Sequence, residues 1–413
     1  HCEPKHPQPF KNGVALRLPP QSKIGQALGQ GWDGCPSRPR VETRISRIFT
    51  DQFQSCKFAF ICVFIKDSTA WPSVWLIRFF DAIGLESWNT WSSVTVGIQK
   101  IVIPGGSGFI GSHLARHFST KGAEVVILSR GEEKNADNSR TVWWDGANLD
   151  TWAEELDGAD VVINLAGRTV NCRYGKRNRQ QIYDSREFST QVIGEAIAQA
   201  RRPPGVWFNA SSATVYRHAL DRPMDEATGE VDKVEPGKPR DKWEFSVDVV
   251  NRWEAALFAA ATPDTRRIAM RLPMVFGPGR GGVYEAFRNI ARLGLGGTQG
   301  PGNQYVSWLH VDDLLRIINW CIEHETLEGA INMCAPNPMP NREFLKALRD
   351  ACGAKLGLPA ASWMLEIGAF FMRTETELLL KSRRVVPGTL LESGFEFNHP
   401  TWPEAAQAIE AKR

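Results

Sequence analysis

Four closely spaced glycines follow a short apolar segment and form the most chemically suggestive stretch of the chain. Residues 101–103 are Ile-Val-Ile, and the glycines after them are Gly105, Gly106, Gly108 and Gly111. Their spacing fits G-x-G-x-x-G from position 106 or G-x-x-G-x-x-G from position 105. Glycine lets backbone N–H groups approach a phosphate closely, because no Cβ intervenes. The pattern predicts a phosphate-binding turn, and an ordinary glycine-rich turn is the alternative.

The residues after this turn offer a second contact to the same phosphate. Residues 109–120 have an amphipathic pattern that predicts a helix, and it begins with Phe109 and Ile110. The first N–H groups of a helix have no intrahelical partner and lie at the positive end of the helix dipole. They would face the anion that the glycines approach. A strand, a glycine turn and a helix in this order are typical of a dinucleotide-binding fold.

A basic residue follows the second predicted strand. Residues 124–129 end in Ser129, and Arg130 comes next, 19 residues after Gly111. In NAD-selecting sites an acidic residue at this place binds the ribose 2′-hydroxyl group. A guanidinium group would instead pair with a 2′-phosphate, assisted by the Ser129 hydroxyl. The sequence therefore favours NADP over NAD, and a solvated loop arginine is the alternative.

Small residues follow the fourth predicted strand. Leu165, Ala166 and Gly167 would let a ribose and a pyrophosphate lie against the end of this strand, where open α/β sheets bind ligands. The next predicted helix carries Arg186. Two interpretations of Arg186 remain open: a contact to the cofactor, or a surface charge.

Strands and helices alternate along residues 98–282. This alternation predicts an α/β fold with a Rossmann-like, doubly wound parallel sheet. The predicted strands are at 101–103, 124–129, 141–144, 160–164, 206–210 and 266–272, with helices at 109–120, 175–200 and 243–261. Segments that complete the sheet extend to about residue 340. Residues 283–413 are expected to form a smaller C-terminal region on the substrate side.

The first 97 residues differ in composition from the rest. They contain 11 Lys/Arg and 7 Asp/Glu, whereas the remainder contains 38 and 39 and is nearly neutral. The neutral body argues against a nucleic-acid partner. The apolar run at residues 58–65 is too short to span a bilayer. A targeting presequence, a membrane-surface anchor and translated sequence upstream of the true start all fit this leader; we expect a poorly ordered extension without a catalytic role.

The eight cysteines have no spacing typical of a metal site. Four lie in the first 62 residues, and the others are scattered: Cys172, Cys321, Cys334 and Cys352. We expect reduced thiols, which suit the cytoplasm, or an organelle matrix if the leader is a presequence. We expect no metal ion and no membrane association of the body.

Several motifs of the body occur in a characteristic order. They include GGSGFIG (105–111), NLAG (164–167), SSATVY (211–216), WLHVDDL (308–314) and VVPGTLLESGF (385–395). With these motifs the chain resembles the extended short-chain dehydrogenase/reductase superfamily, in particular its atypical branch, the sugar-epimerase-like NAD-dependent epimerase/dehydratase family. The resemblance covers about residues 98–410. It implies an N-terminal sheet that binds NADP and a small substrate-side domain.

The residue patterns and the resemblance together indicate which residues contact the cofactor. Most lie in the glycine turn or directly after a predicted strand. The expected NADP(H) contacts are Gly105, Gly108, Phe109, Ile110, Gly111, Ser129, Arg130, Leu165, Ala166, Gly167, Arg186, Ser211 and Val275.

The usual acid–base pair of this superfamily is absent. Sugar epimerases and dehydratases of this type use a serine and a Y-x-x-x-K pair on one helix face. The tyrosine moves the substrate hydroxyl proton, and the lysine lowers the pKa of the tyrosine. None of the five tyrosines in this chain has a lysine four residues later. On the helix where the pair would lie, Ser246 and Val250 stand eight and four residues before Glu254.

Three residues remain as catalytic candidates. Ser212 matches the serine position of the resemblance. Tyr216 is a substitute acid, although its place at a predicted strand-end turn favours a structural aromatic. His310 has a suitable pKa for proton transfer, although a buried histidine bonded to its neighbours is the stronger interpretation.

The functional prediction is therefore stronger for binding than for chemistry. The first hypothesis is an NADP(H)-binding oxidoreductase or isomerase that acts on an unknown small carbonyl or sugar-like substrate. The second is a non-catalytic NADP(H)-binding sensor or assembly protein. A membrane-associated scaffold, which rests only on the leader, is the third.

Overall fold

A computed structural model of the chain describes residues 97–131, 135–136, 139–232, 234–279, 281–371 and 375–413. The leader expected at residues 1–97 lies outside these residues apart from its last position. The described residues belong to one compact unit, Ser93–Arg413. Among its described helices, none is long and apolar enough to cross a bilayer.

Twelve strands occur in the described residues. They are β1 (Lys100–Pro104), β2 (Glu124–Ser129), β3 (Asn135–Ala136), β4 (Ser139–Trp143), β5 (Val161–Asn164), β6 (Val206–Ser212), β7 (Arg266–Leu272), β8 (Met274–Phe276), β9 (Tyr305–Val306), β10 (Trp308–His310), β11 (Gly329–Asn332) and β12 (Met339–Pro340). Eight of them form one sheet in the order β11-β7-β6-β5-β1-β2-β4-β3. Neighbouring strands are parallel except at the short edge pair β3–β4.

The order of the strands creates a switch point between β1 and β5. From β1 the chain first adds β2 and β4 on one side, and then β5, β6, β7 and β11 on the other. Open sheets of this kind bind ligands at the carboxyl ends of the two strands that flank the switch point. The Rossmann-like, doubly wound sheet that the sequence predicts is confirmed.

Helices cover both faces of this sheet. The described helices are α1 (Phe109–Thr120), α2 (Lys176–Gln199), α3 (Lys242–Ala259), α4 (Val283–Arg292), α5 (Val311–Glu323), α6 (Asn341–Cys352), α7 (Ser362–Phe371), α8 (Glu377–Leu380), α9 (Gly388–Glu392) and α10 (Trp402–Ala411). Leu114 of α1 and Leu314 of α5 share an apolar cluster with Ile101, whereas Ile193 of α2 shares another with Val102.

The alternation of side chains along β1 explains why its sequence is apolar throughout. Successive strand residues point to opposite faces, so Ile101 and Ile103 enter one cluster and Val102 enters the other. All three side chains are fully buried. Each such burial contributes about 1.5–3 kcal/mol to folding. The buried side chains of β1 therefore fix the position of the glycine turn that follows it.

Pairing with neighbouring strands corrects two predicted strand ends. The strand expected at 141–144 is β4, which begins at Ser139 because it pairs with β2 from that residue. Trp144 leaves the strand and packs against Trp152, with ring centroids 5.3 Å apart. The strand expected at 206–210 extends through Ser211 and Ser212, because both pair with β7.

The C-terminal residues return to the carboxyl end of the sheet. The pairs β8–β10 and β9–β12 lie outside the central sheet, beside an apolar cluster that contains Phe276 and Trp402. Farther along, the Met224 N–H donates to the Arg384 carbonyl oxygen (2.7 Å), and the Val386 N–H donates to the Met224 carbonyl oxygen (2.9 Å). The segment after α8 therefore packs beside the loop that follows β6. The predicted domain boundary at residue 282 stays a prediction.

Candidate functional site

A cleft of about 1080 Å³ opens at the carboxyl ends of β1, β2 and β5. It lies at the switch point of the sheet. Seven of the predicted cofactor contacts line it: Gly105, Gly108, Ser129, Arg130, Leu165, Ala166 and Gly167. The structure thus brings together residues from three separate parts of the chain.

Two of the glycines are required by close backbone contacts. Gly105 has φ 72° and donates its N–H to the Leu128 carbonyl oxygen (2.8 Å). A Cβ on Gly105 would lie 2.7 Å from the Ala166 Cα, and a Cβ on Gly111 would lie 2.2 Å from the Gly106 carbonyl oxygen. Such contacts exclude any side chain at these two positions, so α1 can begin directly against the turn.

The start of α1 is open to an anion. Gly108 is the N-cap residue, with no side-chain cap, and the first turn of α1 has no acidic residue. The N–H groups of Phe109 and Ile110 therefore have no intrahelical acceptor. Around Gly108, no atom lies within 4 Å of the place of a Cβ. This cradle fits the pyrophosphate of a dinucleotide, as the sequence predicts.

The end of β2 places a hydroxyl and a guanidinium group beside the cleft. The Ser129 hydroxyl donates to the Ser107 hydroxyl (3.3 Å) and accepts the N–H of Gly131 (3.2 Å). Arg130 is exposed on the lining of the cleft. No hydrogen bond or ion pair joins its side chain to the other described residues. The position where NAD sites carry a carboxylate therefore offers a cation to a 2′-phosphate.

Buried amides shape the opposite wall of the cleft at the end of β5. The Asn164 Oδ1 atom accepts the Ala166 N–H (2.9 Å), and its Nδ2 atom donates to the Asn209 Oδ1 atom (2.7 Å). These bonds hold residues 165–167 in the conformation that leaves room for the cleft. The asparagine of the NLAG motif therefore shapes the cleft, in addition to the small residues of the motif.

Several lining residues were missed by the sequence reasoning. They come from the loop after β5 and from one face of α2, and they include Arg168, Gln181, Ser185 and Phe188. Phe188 is an apolar residue of this helix, and its side chain is 46% exposed rather than buried. The spacing of positions 181, 185 and 188 places them on one helix face, and this was the available signal.

Six predicted cofactor contacts are absent from the lining of the cleft: Phe109, Ile110, Gly111, Arg186, Ser211 and Val275. The first three belong to the glycine turn and the start of α1 described above. The Arg186 guanidinium lies behind Gly167 and donates to the carbonyl oxygens of Arg168 and Ile182 (3.2 Å each). The Ser211 hydroxyl donates to the Glu254 Oε1 atom (2.6 Å). Val275 is buried in an apolar cluster. Their roles as direct contacts stay predictions.

Two of the catalytic candidates near β6 differ in accessibility. Ser212 is partly exposed, and its hydroxyl oxygen accepts the Thr214 N–H (3.2 Å), which starts a short 3-10 helix. Tyr216 is 2% exposed. Its hydroxyl donates to the Asn332 Oδ1 atom (3.0 Å) and accepts from Arg271 (2.8 Å). Burial raises the pKa of Tyr216, so the structural interpretation of this tyrosine fits best.

His310 is fully buried, as the stronger sequence interpretation expected. Its Nδ1 atom accepts the Asp312 N–H (3.1 Å) and caps α5. Burial, followed by the charge of His399, lowers the pKa of His310 to about 4. The ring is therefore neutral near pH 7 and has no proton to donate as an imidazolium.

The structure also brings together three metal-ligating side chains that the sequence spacing did not show. Ligand atoms of His310, Asp312 and His399 lie within 4.8 Å of one another. The Nδ1 atom of His310 is already engaged by the start of α5, and the Lys412 Nζ atom lies 2.7 Å from the Asp312 Oδ2 atom. These bonds compete directly with a metal ion for two of the three residues.

A buried lysine from the C-terminal region lies beside the end of β6. Lys381 is 2% exposed and donates to the Thr214 carbonyl oxygen (2.9 Å). Burial is the largest effect on this side chain and lowers the pKa of Lys381 to about 8. The Arg383 Nε atom reaches the Thr214 hydroxyl (3.0 Å). No local pattern in the sequence indicates that residues near 381 would meet β6.

Sequence and structure comparisons agree with this architecture. The family described as the NAD dependent epimerase/dehydratase family matches residues 101–334. The chain belongs to this family. A second match, to a domain of unknown function (DUF1731), covers residues 360–409 and includes the segment that carries Lys381. The resemblance seen in the motifs is therefore confirmed.

The matches to related proteins cover nearly the full length of each relative. The human epimerase family protein SDR39U1 is 30% identical over 318 residues, which are 76% of this chain and 100% of the relative. An epimerase family protein of Mycobacterium leprae is 31% identical over 310 residues, 74% of this chain and 94% of the relative.

The crystal structure of human SDR39U1 isoform 2 with NADPH has a TM-score of 0.66 and 28% identity, and the match covers 76% of this chain and 100% of that chain. UDP-N-acetylglucosamine 4-epimerase from Bacillus cereus has a TM-score of 0.57 and 17% identity, with 76% of this chain and 99% of that chain covered, and shows a shared fold alone.

Proposed function

We propose that this chain binds NADP(H) and acts as an oxidoreductase or isomerase on a small carbonyl or sugar-like substrate. One observation carries the proposal: an anion cradle at the switch point, with Arg130 rather than a carboxylate at the end of β2. The human relative crystallised with NADPH supports the same cofactor.

Each part of the cleft has a defined task in this proposal. The N–H groups of Phe109 and Ile110 bind the pyrophosphate, and Arg130 with Ser129 binds the 2′-phosphate. The nicotinamide end extends past β5 toward Ser212, because β6 is the next strand beyond the switch point. When bound, NADP(H) supplies or accepts a hydride. Ser212 orients the substrate oxygen through its hydroxyl group.

A non-catalytic sensor or assembly protein is the second candidate. It is favoured by the absence of the Y-x-x-x-K pair and by the bonds that already engage the Tyr216 hydroxyl. Such a protein would bind NADPH with the same residues and turn over no substrate. The partner of the proposed enzyme is a small molecule, whereas that of the sensor is another macromolecule.

Cofactor selectivity tests the binding half of the proposal. Arg130→Asp should weaken NADPH binding about 10- to 100-fold, because a charge-assisted hydrogen bond contributes about 1.5–3 kcal/mol. NADH binding should change by less than about twofold, since NADH has no 2′-phosphate. Arg201→Asp is the matched control, because Arg201 is exposed and pairs with Asp157 outside the cleft. Equal losses of NADPH and NADH affinity would refute the assignment of Arg130.

Turnover tests the catalytic half. Purified protein with NADPH is assayed against an aliphatic aldehyde, an aromatic diketone and a UDP-4-keto-hexose. Oxidation of NADPH above that of a Gly108→Asp variant supports the enzyme. Tight NADPH binding without turnover favours the sensor.

The compartment is also a proposal. The four cysteines in the described part of the chain are free thiols. Reduced thiols support the cytoplasm, or an organelle matrix if residues 1–97 are a presequence. Fractionation of cells that express the full chain, with and without residues 1–95, separates the two.

A further inference from the structure

Two short segments of the C-terminal region carry the same pattern, a cation followed by Leu-Gly-Leu. One is RLGL at residues 292–295, where α4 ends, and the other is KLGL at residues 355–358, shortly after α6. Residues 293–304 and 356–364, which begin with these leucines, contain no charged side chain. Neither segment belongs to the lining of the cofactor cleft, so the proposed function gives them no task.

Backbone hydrogen bonds join the two segments side by side. The Leu358 N–H donates to the Gly294 carbonyl oxygen (2.8 Å), and the Ala360 N–H donates to the Thr298 carbonyl oxygen (2.9 Å). In the other direction, the Gly300 N–H donates to the Ala360 carbonyl oxygen (2.8 Å). The two Leu-Gly-Leu sequences, 60 positions apart along the chain, are therefore neighbours on one surface.

The side chain of Arg349, on α6, contacts both segments. Its Nη1 atom donates to the Gly296 carbonyl oxygen (2.6 Å). A Cβ on Gly357 would lie 2.5 Å from the Arg349 Nε atom, so this side chain also lies directly against the second segment. One guanidinium group therefore holds the two segments in a defined relative position.

Six large apolar side chains are exposed on this surface. A single exposed leucine is ordinary, whereas a contiguous apolar patch marks an interaction site. Trp363 and Met364 belong to the patch because they lie in the first turn of α7, directly after the second segment. We call this surface the leucine face. Its members and their exposed fractions are Leu293 (74%), Leu295 (53%), Leu356 (71%), Leu358 (61%), Trp363 (65%) and Met364 (44%).

The area of the leucine face matches the apolar part of a homodimer interface. Six side chains of this size at these exposures present about 500 Å² of apolar surface. A standard interface buries about 800 Å² per partner, and homodimer interfaces are about 65% apolar, which is again about 500 Å² per copy. A second copy of the chain therefore supplies the area that covers the face.

The charges beside the leucine face also suit a second copy. The Arg292 and Lys355 side chains are exposed, and no hydrogen bond or ion pair joins them to other described residues. The adjoining end of α6 carries an anion, Asp350, which pairs with Lys346 of the same helix (2.7 Å). In a two-fold interface each rim faces the same rim of the other copy, so a rim with both signs is self-complementary. An anionic bilayer would favour a rim of cations alone.

We propose that the leucine face is the interface of a two-fold symmetric homodimer. The 292–295 segment of one copy packs against the 355–364 segment of the other, and symmetry repeats this contact in reverse. The face and the cofactor cleft share no residue, so each copy keeps its own cofactor site. Dimerisation through this face is independent of the proposed catalytic activity.

Sedimentation equilibrium of the full chain tests the dimer. At about 50 µM the wild type should sediment with twice the mass of one chain, because interfaces of standard size usually hold at this concentration. Leu293→Asp combined with Leu356→Asp should raise the dissociation constant about 100-fold or more, since the interface would bury unpaired carboxylates. A monomeric wild type, or a double variant that dimerises like the wild type, would overturn the proposal.

A second double variant is the matched control. Leu149→Asp combined with Leu220→Asp changes two exposed leucines in the loops after β4 and β6, outside the leucine face. This variant should dimerise like the wild type, and a dissociation constant raised as much as that of the first variant would contradict the assignment of the face. The far-UV circular dichroism of Leu293→Asp with Leu356→Asp should match that of the wild type, because both leucines are exposed. A changed spectrum would show that these leucines pack within one copy, against the proposal.

Photo-crosslinking locates the contact within the dimer. Trp363→p-benzoylphenylalanine places a crosslinker on the leucine face, in an equal mixture of ¹⁴N- and ¹⁵N-labelled protein. Crosslinked peptides that carry both isotopes join two copies, and these should reach residues 292–295 or 355–364. Crosslinks between copies that reach only other residues would refute the two-fold contact at this face.

Other occupants of the face give different results. A wild type that stays monomeric and floats with phosphatidylglycerol vesicles, when the Leu293→Asp, Leu356→Asp variant does not, would assign the face to a bilayer instead. A wild type that stays monomeric and does not float would leave a different protein as the occupant. Either result rejects the homodimer.

Discussion

Two glycines of the phosphate turn should respond differently to the same added methyl group. Gly111 begins α1 against the turn, and a Cβ there would lie 2.2 Å from the Gly106 carbonyl oxygen. Gly108 has φ −84°, which any residue adopts, and no atom lies within 4 Å of its Cβ position. Gly111→Ala therefore perturbs the fold, and Gly108→Ala perturbs only the space that the ligand occupies.

The expected magnitudes follow from these contacts. In Gly111→Ala, α1 must move away from the turn, and its buried Leu114 and Phe118 move with it. Overpacking of this kind costs about 1–3 kcal/mol, which lowers the melting temperature by several degrees. In Gly108→Ala, replacing a glycine N-cap by alanine costs less than about 1 kcal/mol. Its methyl group lies in the cleft, and NADPH affinity should fall about tenfold or more, the equivalent of about 1.4 kcal/mol.

Urea unfolding and NADPH fluorescence titration measure the two effects separately. The expected result is a crossed pattern: Gly111→Ala loses more stability, and Gly108→Ala loses affinity at nearly wild-type stability. If Gly108→Ala binds NADPH as tightly as the wild type, the phosphate does not approach this turn. If Gly111→Ala is as stable as the wild type, the close approach of α1 to the turn is not as described.

Three further predictions concern stability. Glu254→Ala should lower the free energy of unfolding in urea by about 3–5 kcal/mol, because it leaves the buried Arg271 guanidinium without its carboxylate partner. The control Lys346→Met removes an exposed ion pair with Asp350 and should lower the free energy of unfolding by under about 1 kcal/mol. Burial lowers the pKa of Lys381 from 10.5 to about 8. Between pH 8 and 10.5 the unfolded chain binds more protons at this group than the folded chain does. The free energy of unfolding of the wild type should therefore rise with pH relative to that of Lys381→Met, by up to about 1.4 kcal/mol per pKa unit. Melting-temperature profiles of the two proteins that run parallel with pH would contradict this. NADPH at 100 times its Kd should stabilise the wild type by about 2.7 kcal/mol in calorimetry, and no stabilisation would contradict binding.

Local patterns were sufficient to predict the sheet and the phosphate turn. Residues 101–103 are apolar because both faces of β1 are buried, and this shows directly in the sequence. Gly105 and Gly111 are glycines because backbone atoms come too close for a Cβ. Arg130 directly follows its strand, so its place at the cleft follows from the position of that strand. Each of these relations involves residues that are close in sequence or in adjacent strands.

Other residues could be interpreted only from the packed chain. Phe188 is apolar but faces the cleft, and helix periodicity cannot tell a core from a ligand pocket. The histidines His310 and His399 are 89 positions apart in sequence, and their rings lie 3.9 Å apart. No spacing rule detects such a cluster, because its members come from unrelated segments.

The sequence by itself determined the fold, the glycine turn and the absence of the Y-x-x-x-K pair. Only the tertiary structure brought Lys381 to the Thr214 carbonyl oxygen beside the end of β6, because the C-terminal segment and the loop after β6 meet through long-range packing. Hydrophobic periodicity and turn-forming residues are encoded within short stretches of sequence. Proximity between distant segments depends on how all the helices pack on the sheet, and this decides which side chains surround the site.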